Sequence, residues 1–482
     1  TILQEGSKNI HMQGKISGSE LVIDAAETGT GTIYFERGAK QGTVTEITAD
    51  AVDLEKLTVN GARIVTKIDF NEVEINGGTF IVGNDVAPTT ITGTVTLNEG
   101  GTLVPGDSIT NKSVVENLIL NGGKIGSVNG SAILNVNNAE AVAGTTTTID
   151  MNDRARTHVM KTLTGSGTIV HEGHGSVHRQ LKVYGDASQF AGTFVSKDGG
   201  YIGFETGSTS SGSAKYVSEG NGNFFFSAGA NDSGVFEIGE LSTAGNSKGE
   251  ARPGASNTKP VTMRVGGLNT DSTYAGTLKE YNENHPVSVV KTGTGMWTLS
   301  GKNSYNGTTT VEQGTLNITG TITSDTTVQS GASITGIGTI EGKLFFGQGS
   351  THLLDLTKSQ IREQILSDET TLKITGGING DNDEMVVKLV MDQETFGYFD
   401  EVSSFDIIEA DGLENLMLIL DTTEAVGSWE LAYDEETDLL SIIASTETAA
   451  VPEPSTFVLF FGTLSFFAFT AFRKRRENKM RI

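Results

Sequence analysis

This 482-residue chain has no cysteine, only 7 prolines and only 2 tryptophans. Without a thiol it can have no disulfide framework, no thiolate metal site and no cysteine nucleophile. A chain of this length without covalent staples must draw its stability from an extended, stacked core. Seven prolines beside 61 glycines exclude a collagen-like or proline-rich linker composition. Cations are also scarce, with 34 Lys and Arg against 59 Asp and Glu and a formal net charge of -25. That balance opposes phosphate backbones, anionic lipid and anionic glycans, and excludes nucleic acid as a partner. Calcium-bridged contacts, neutral glycans and plain solubility remain compatible with it. Thr1 is preceded by no methionine, basic n-region or apolar h-region, so an export signal is expected to lie outside this sequence.

What is present between about residues 21 and 346 is a succession of short β-type runs broken by glycine or asparagine. Lys56 to Gly61, Val73 to Val82, Gly93 to Asn98, Asn117 to Ile125 and Ala132 to Asn137 each alternate apolar residues with Thr, Asn, Lys or Glu. A period of two marks a strand with one buried face. The Asn-Gly and Gly-Gly pairs supply positive φ at the corners. The runs return every 20 or so residues with an echoed Leu/Val-x-Leu/Ile-Asn-Gly-Gly, which marks a solenoid whose coils bury their apolar faces on one another. The expected fold is all-β, a right-handed parallel β-helix of roughly 20–25 residues per coil, with Asn and Thr ladders along its turns. A series of β-sandwiches is the alternative, but it would prefer more regular hairpins.

The clearest repeat spans 289–322, with Gly293, Gly295, Leu299, Gly301, Asn303, Tyr305, Gly307, Thr309, Val311, Gly314 and Leu316 at fixed spacing. It resembles the autotransporter-associated β-strand repeat, and a degenerate copy is expected over 163–205. Trp297, Leu299, Val311, Leu316 and Ile318 are expected in the core, with Tyr305 and Phe190 at a corner. An autotransporter would also need a C-terminal membrane barrel of alternating ten-residue strands, and the chain instead ends in one apolar run.

After Gly349 the text is more acidic and poorer in glycine. A short helix is expected over 357–366, with a Thr357/Gln360 capping box, followed by strands at 385–391, 404–409, 416–421, 428–433 and 439–444. The expected organisation is a β-helix over 1–350, an acidic β-rich cap over 351–450, a sorting segment over 451–476 and a basic tail over 477–482. A polar cap is what a solenoid needs to prevent end-to-end pairing.

The last 32 residues carry six basic and two acidic side chains. The run from Phe457 to Phe472 is uncharged and is followed by Arg473, Lys474, Arg475 and Arg476. As a helix, the segment from Ser455 to Phe472 would span roughly 27 Å, slightly less than a ~30 Å hydrocarbon core, and the flanking arginines could snorkel. The basic cluster would stay on the cytoplasmic side. With Pro452, Glu453 and Pro454 in front, the tail resembles the PEP-CTERM sorting signal. That resemblance implies an exosortase-type processing enzyme as partner, a membrane span over 457–472 before processing, and delivery to the cell surface or an extracellular polysaccharide matrix. An ordinary single-span anchor is the alternative reading.

Little in the sequence points to catalysis. His171, His174 and His178 lie close enough to hold zinc if a loop folded around it, but their spacing matches no zinc-helix pattern, so surface turn histidines are expected. Gly380-Asp381-Asn382-Asp383-Glu384 offers oxygen ligands without the spacing of a calcium loop, so a solvated turn is expected. Gly165-x-Gly167 opens no helix and is no phosphate cradle. No catalytic, cofactor-binding or metal-binding residue is assigned and no cofactor is expected. The sequence reading is a non-enzymatic structural or adhesive surface protein. The alternative is a polysaccharide-active β-helix lyase or hydrolase, recognisable by carboxylates and a basic residue gathered on adjacent coils.

Overall fold

Alternating apolar and small polar residues do form strands, and the strands stack in parallel. A computed structural model describes residues 2–4, 10–11, 16–25, 32–35, 52–66, 70–83, 89–105, 113–126, 133–150, 156–174, 179–366, 372–381, 384–398, 404–444 and 457–459. The chain is all-β with long parallel sheets, as in a β-helix. It divides into two units, the first comprising Thr1–Leu268 with Ala275–Pro286 and the second Asn269–Tyr274 with Val287–Ile482.

In unit 1, one ladder runs through Ile16–Ala25, Val52–Thr66, Glu72–Val82, Thr90–Asn98, Ser113–Asn121, Leu134–Ala141 and Arg156–Gly165. It continues through Arg179–Val183, Tyr201–Phe204, Asn223–Phe226, Glu250–Arg252 and Thr277–Leu278. A second ladder links the far half of Glu72–Val82 to Gly101–Pro105, Lys124–Ile125, Thr146–Asp150, Thr168–Glu172, Thr193–Lys197, Lys215–Glu219 and Glu240–Ala244. Like residues fall into columns: Val73, Val95 and Leu118 align, as do Ile75, Leu97 and Leu120, and all six are buried.

The expected asparagine ladder is present in this unit. Asn76 Nδ2 donates to Asn60 Oδ1 at 3.0 Å, Asn98 to Asn76 at 2.6 Å and Asn121 to Asn98 at 2.6 Å. Each amide both donates and accepts, so a stack of identical residues satisfies itself. The bonded pairs from Asn76 to Asn121 lie 22 and 23 positions apart, within the expected coil length.

Unit 2 builds three faces. The first joins Val287–Lys291, Thr309–Val311, Thr326–Val328, Leu344–Phe346 and Ile378–Gly380. The second joins Ser272–Tyr274, Met296–Leu299, Thr315–Ile318, Ser333–Gly336, Thr351–Asp355, Glu384–Met391 and Met417–Ala425. The third joins Lys302–Asn303, Thr321–Ile322, Thr339–Ile340, Leu372–Ile374 and Ser404–Ala410. Coils in the repeat are shorter than expected, with bonded partners 18 and 19 positions apart. Two- to four-residue strands and glycine corners close a tighter turn than the longer strands of unit 1.

Parallel pairing persists past residue 350 and becomes antiparallel where Ser404–Ala410 meets Leu439–Ala444, which in turn pairs with Trp429–Asp434. The helix after Thr351–Asp355 begins at Ser359 rather than Thr357. The Thr357 hydroxyl and N–H both donate to Asp355 Oδ1, forming a turn that delays the helix. Of the apolar run expected to be helical, Phe457–Leu459 is an extended strand paired antiparallel with Met417–Ala425. Its backbone groups are met there by a sheet edge instead of by helical bonds. The remainder of that run lies outside the described residues. Among the described residues, no helix is long and apolar enough to cross a membrane.

Candidate functional site

The repeat is built from the inside outward. Trp297, Leu299, Val311, Leu316 and Ile318 are all buried, as their alternation requires. Register aligns Trp297 with Leu316 and Ile334, and Leu299 with Ile318. The polar residues of the motif are buried as well. Asn303 Nδ2 donates to the carbonyls of Gly301 at 3.1 Å and Thr321 at 3.2 Å, tying one coil to the next. Tyr305 Oη lies 2.6 Å from Thr309 Oγ1, which lies 2.6 Å from Ser324 Oγ. Burial raises the Tyr305 phenol above its ordinary value, while its hydroxyl partners work against that shift. Gly295 and Gly307 accept no side chain, since a Cβ would come 2.3 Å from the Thr270 and Val287 carbonyl oxygens respectively. Asn303, Tyr305, Thr309 and the glycines therefore hold coils in register, and none is presented to a substrate.

Lys291 belongs to the same network although sequence reasoning passed it over. It is buried and aligned with Val311, and its ammonium donates to the carbonyls of Thr292 at 2.6 Å, Gly293 at 2.8 Å and Gln313 at 3.1 Å. Burial pushes its pKa down to about 8, partly countered by Asp271. Its three N–H groups match three carbonyls at the corner, so it acts as a clasp. The available signal was a lysine at an inward position of an alternating strand.

The histidine cluster divides. His171 is fully buried in Thr168–Glu172, aligned between Ile149 and Ser196, and is not a surface turn residue. The even spacing of Ile169 and His171 puts both on the inner face. His174 sits in the following turn at φ 46°, with Nε2 2.7 Å from Asp150 Oδ1 and 4.0 Å from Glu172 Oε2. His178 lies outside the described residues. Asp150, Glu172 and His174 could converge on one ion. However, Lys124 is 2.5 Å from Asp150 and Lys197 is 3.6 Å from Glu172. Burial alone would raise the Asp150 carboxyl, but hydrogen bonds from Lys124 and His174 hold it below its ordinary value. The group is a lysine-compensated ion ladder across neighbouring coils, and a cation would have to displace those lysines.

Asp381 is exposed and accepts the Gln348 N–H at 3.1 Å, which makes it a turn partner; Asn382 and Asp383 lie outside the described residues. The sorting residues Pro452, Glu453, Pro454, Arg473, Lys474, Arg475 and Arg476 also lie outside them.

Residues 289–318 match the family described as the passenger-associated-transport-repeat. No curated protein and no solved structure matches the chain.

Proposed function

We propose that this chain is an exported surface or extracellular-matrix protein, a structural or adhesive β-solenoid that performs no catalysis. The observation that carries this reading is the repeat at 289–318 together with the use of its polar residues. Asn303, Tyr305, Thr309 and Lys291 are all consumed in holding one coil to the next. A motif devoted to stacking serves a scaffold. The one group of His, Asp and Glu close enough to share an ion, among the described residues, has lysine partners on both carboxylates. In this reading the coils form a right-handed parallel β-helix ending in the β-rich segment after residue 350. The tail from Pro452 to Arg476 engages an exosortase-type processing enzyme, with residues 457–472 crossing the membrane before processing, a state in which Phe457–Leu459 is released from its pairing with Met417–Ala425.

Mass spectrometry of the mature C-terminus, combined with fractionation of cells and matrix, tests this directly. The expected result is surface or matrix material that has lost Arg473 to Ile482. Native protein recovered soluble from cytosol with its final arginines intact would overturn it.

A further inference from the structure

The outer face of a solvated sheet normally carries small polar or charged residues, but one stretch of unit 1 carries rings. Across Arg179–Val183, Tyr201–Phe204, Asn223–Phe226 and Glu250–Arg252, register aligns Lys182, Gly203, Phe225 and Arg252. The Tyr201 and Phe225 rings lie 4.5 Å apart between centroids. The Arg252 guanidinium sits 4.3 Å from the Phe225 centroid and 5.4 Å from that of Tyr281. Tyr184 and Tyr281 are 43% and 49% exposed, on the first and last coils of the stretch. Lys182, Arg252 and Lys279 are ion-paired: Lys182 is 2.8 Å from Glu205, Arg252 is 2.8 Å from Glu250, and Lys279 is 2.5 Å from Glu250.

We propose that this face, from Tyr184 to Tyr281, binds one extended neutral glycan chain. A sugar ring has an apolar C–H face and a rim of hydroxyls. Aromatic rings meet the first, and fixed ion-paired carboxylates, ammonium groups and the guanidinium meet the second. With Thr277–Leu278, which pairs with Glu250–Arg252, the face has five stacked strands and spans roughly 19 Å at ~4.8 Å per step, enough for a short oligosaccharide lying along the ladder. Stacking at that step spreads the rings and ion pairs along one line, which fits an extended polymer better than a compact solute. Internal charge matching leaves no call for a charged ligand, and the chain's net charge of -25 opposes an anionic one. The inference rests on the surface reading above.

Affinity electrophoresis of the full chain through gels containing xylan, mannan or a soluble glucan tests it. At least one polysaccharide should retard the protein. Tyr184→Ala with Tyr281→Ala should weaken that binding at least tenfold with an unchanged far-UV CD spectrum, and each single variant should weaken it less. Tyr398→Ala, which removes an exposed tyrosine of unit 2, should leave it unchanged. Retardation by none of the gels, or equal retardation of the double variant, overturns the glycan site even if the protein is recovered at the cell surface. Recovery from cytosol alone would defeat the surface reading regardless of what the gels show.

Discussion

In unit 1 the inward column from Phe194 continues into Tyr216, and Phe204 stacks on Phe226 with centroids 5.4 Å apart and planes 8° apart. In unit 2 the pairs within the repeat are largely aliphatic, with Leu299 over Ile318, Val311 over Val328 and Leu316 over Ile334, although Trp297 heads the last column and Phe346 follows Val328. Coil length accounts for the difference. The coils that carry the rings are 22 residues long, from Phe194 to Tyr216 and from Phe204 to Phe226, against 18 or 19 in the repeat, and the rings fill the added volume. Three histidines are buried, His158 and His171 in unit 1 and His352 in unit 2. His171 stands next to Ser196, whereas His352 stands between Ile334 and Val387 with neither ring nitrogen hydrogen-bonded.

The largest test of this contrast is a cavity in the wide interior. Phe204 touches Phe194, Tyr216 and Phe226, so Phe204→Ala should cost about 3–5 kcal/mol, against about 0.5–1.5 kcal/mol for Ile334→Val in unit 2. Urea denaturation followed by far-UV CD measures both, and equal losses would break the comparison.

Acid should find the narrow interior next. Burial lowers the His352 pKa to about 4 from an ordinary 6.5. The unfolded chain therefore binds a proton that the folded chain refuses. The contribution is fully present above about pH 6.5 and is lost as pH falls towards 4, to a limit of about 3 kcal/mol. His352→Leu should remove that portion of the pH dependence. Tryptophan fluorescence reports on unit 2, because Trp297 and Trp429 both lie there. Identical pH profiles for wild type and variant would show that His352 is not the sensor.

The smallest effect belongs to the turns. Asn98 both donates and accepts in the unit 1 ladder, so Asn98→Ala should cost about 1 kcal/mol. Combined with Asn121→Ala, the loss should be less than additive, since one bond is shared; full additivity in denaturation midpoints would argue against a connected ladder.

Much of this architecture was legible beforehand because period-two alternation and recurring glycines are local signals. The strands at Leu439–Ala444 and Trp429–Asp434 fall within a residue of expectation, and Trp297, Leu299, Val311, Leu316 and Ile318 are buried as expected. The aromatic stack from Phe190 to Phe236 was not legible. Its echo is a strand containing Val-Ser, at Val195-Ser196 and Val217-Ser218, where each serine hydroxyl donates to a glycine carbonyl four residues on. Nor did spacing along the chain reveal that His174 would meet Asp150 rather than His171, because the two partners sit on different coils.

The sequence by itself determined a parallel stack of glycine-cornered strands, because alternation, repeat spacing and positive-φ corners act within one coil and recur in the next. Only the tertiary structure decided what each coil encloses and what its outer face presents. Lys291 as a clasp, the lysine-matched Asp150 ladder and the Tyr184–Tyr281 strip each bring together residues from neighbouring coils. Such neighbours lie about twenty positions apart in the chain yet about 4.8 Å apart in space. Their meeting depends on the register of stacking, which no single coil carries.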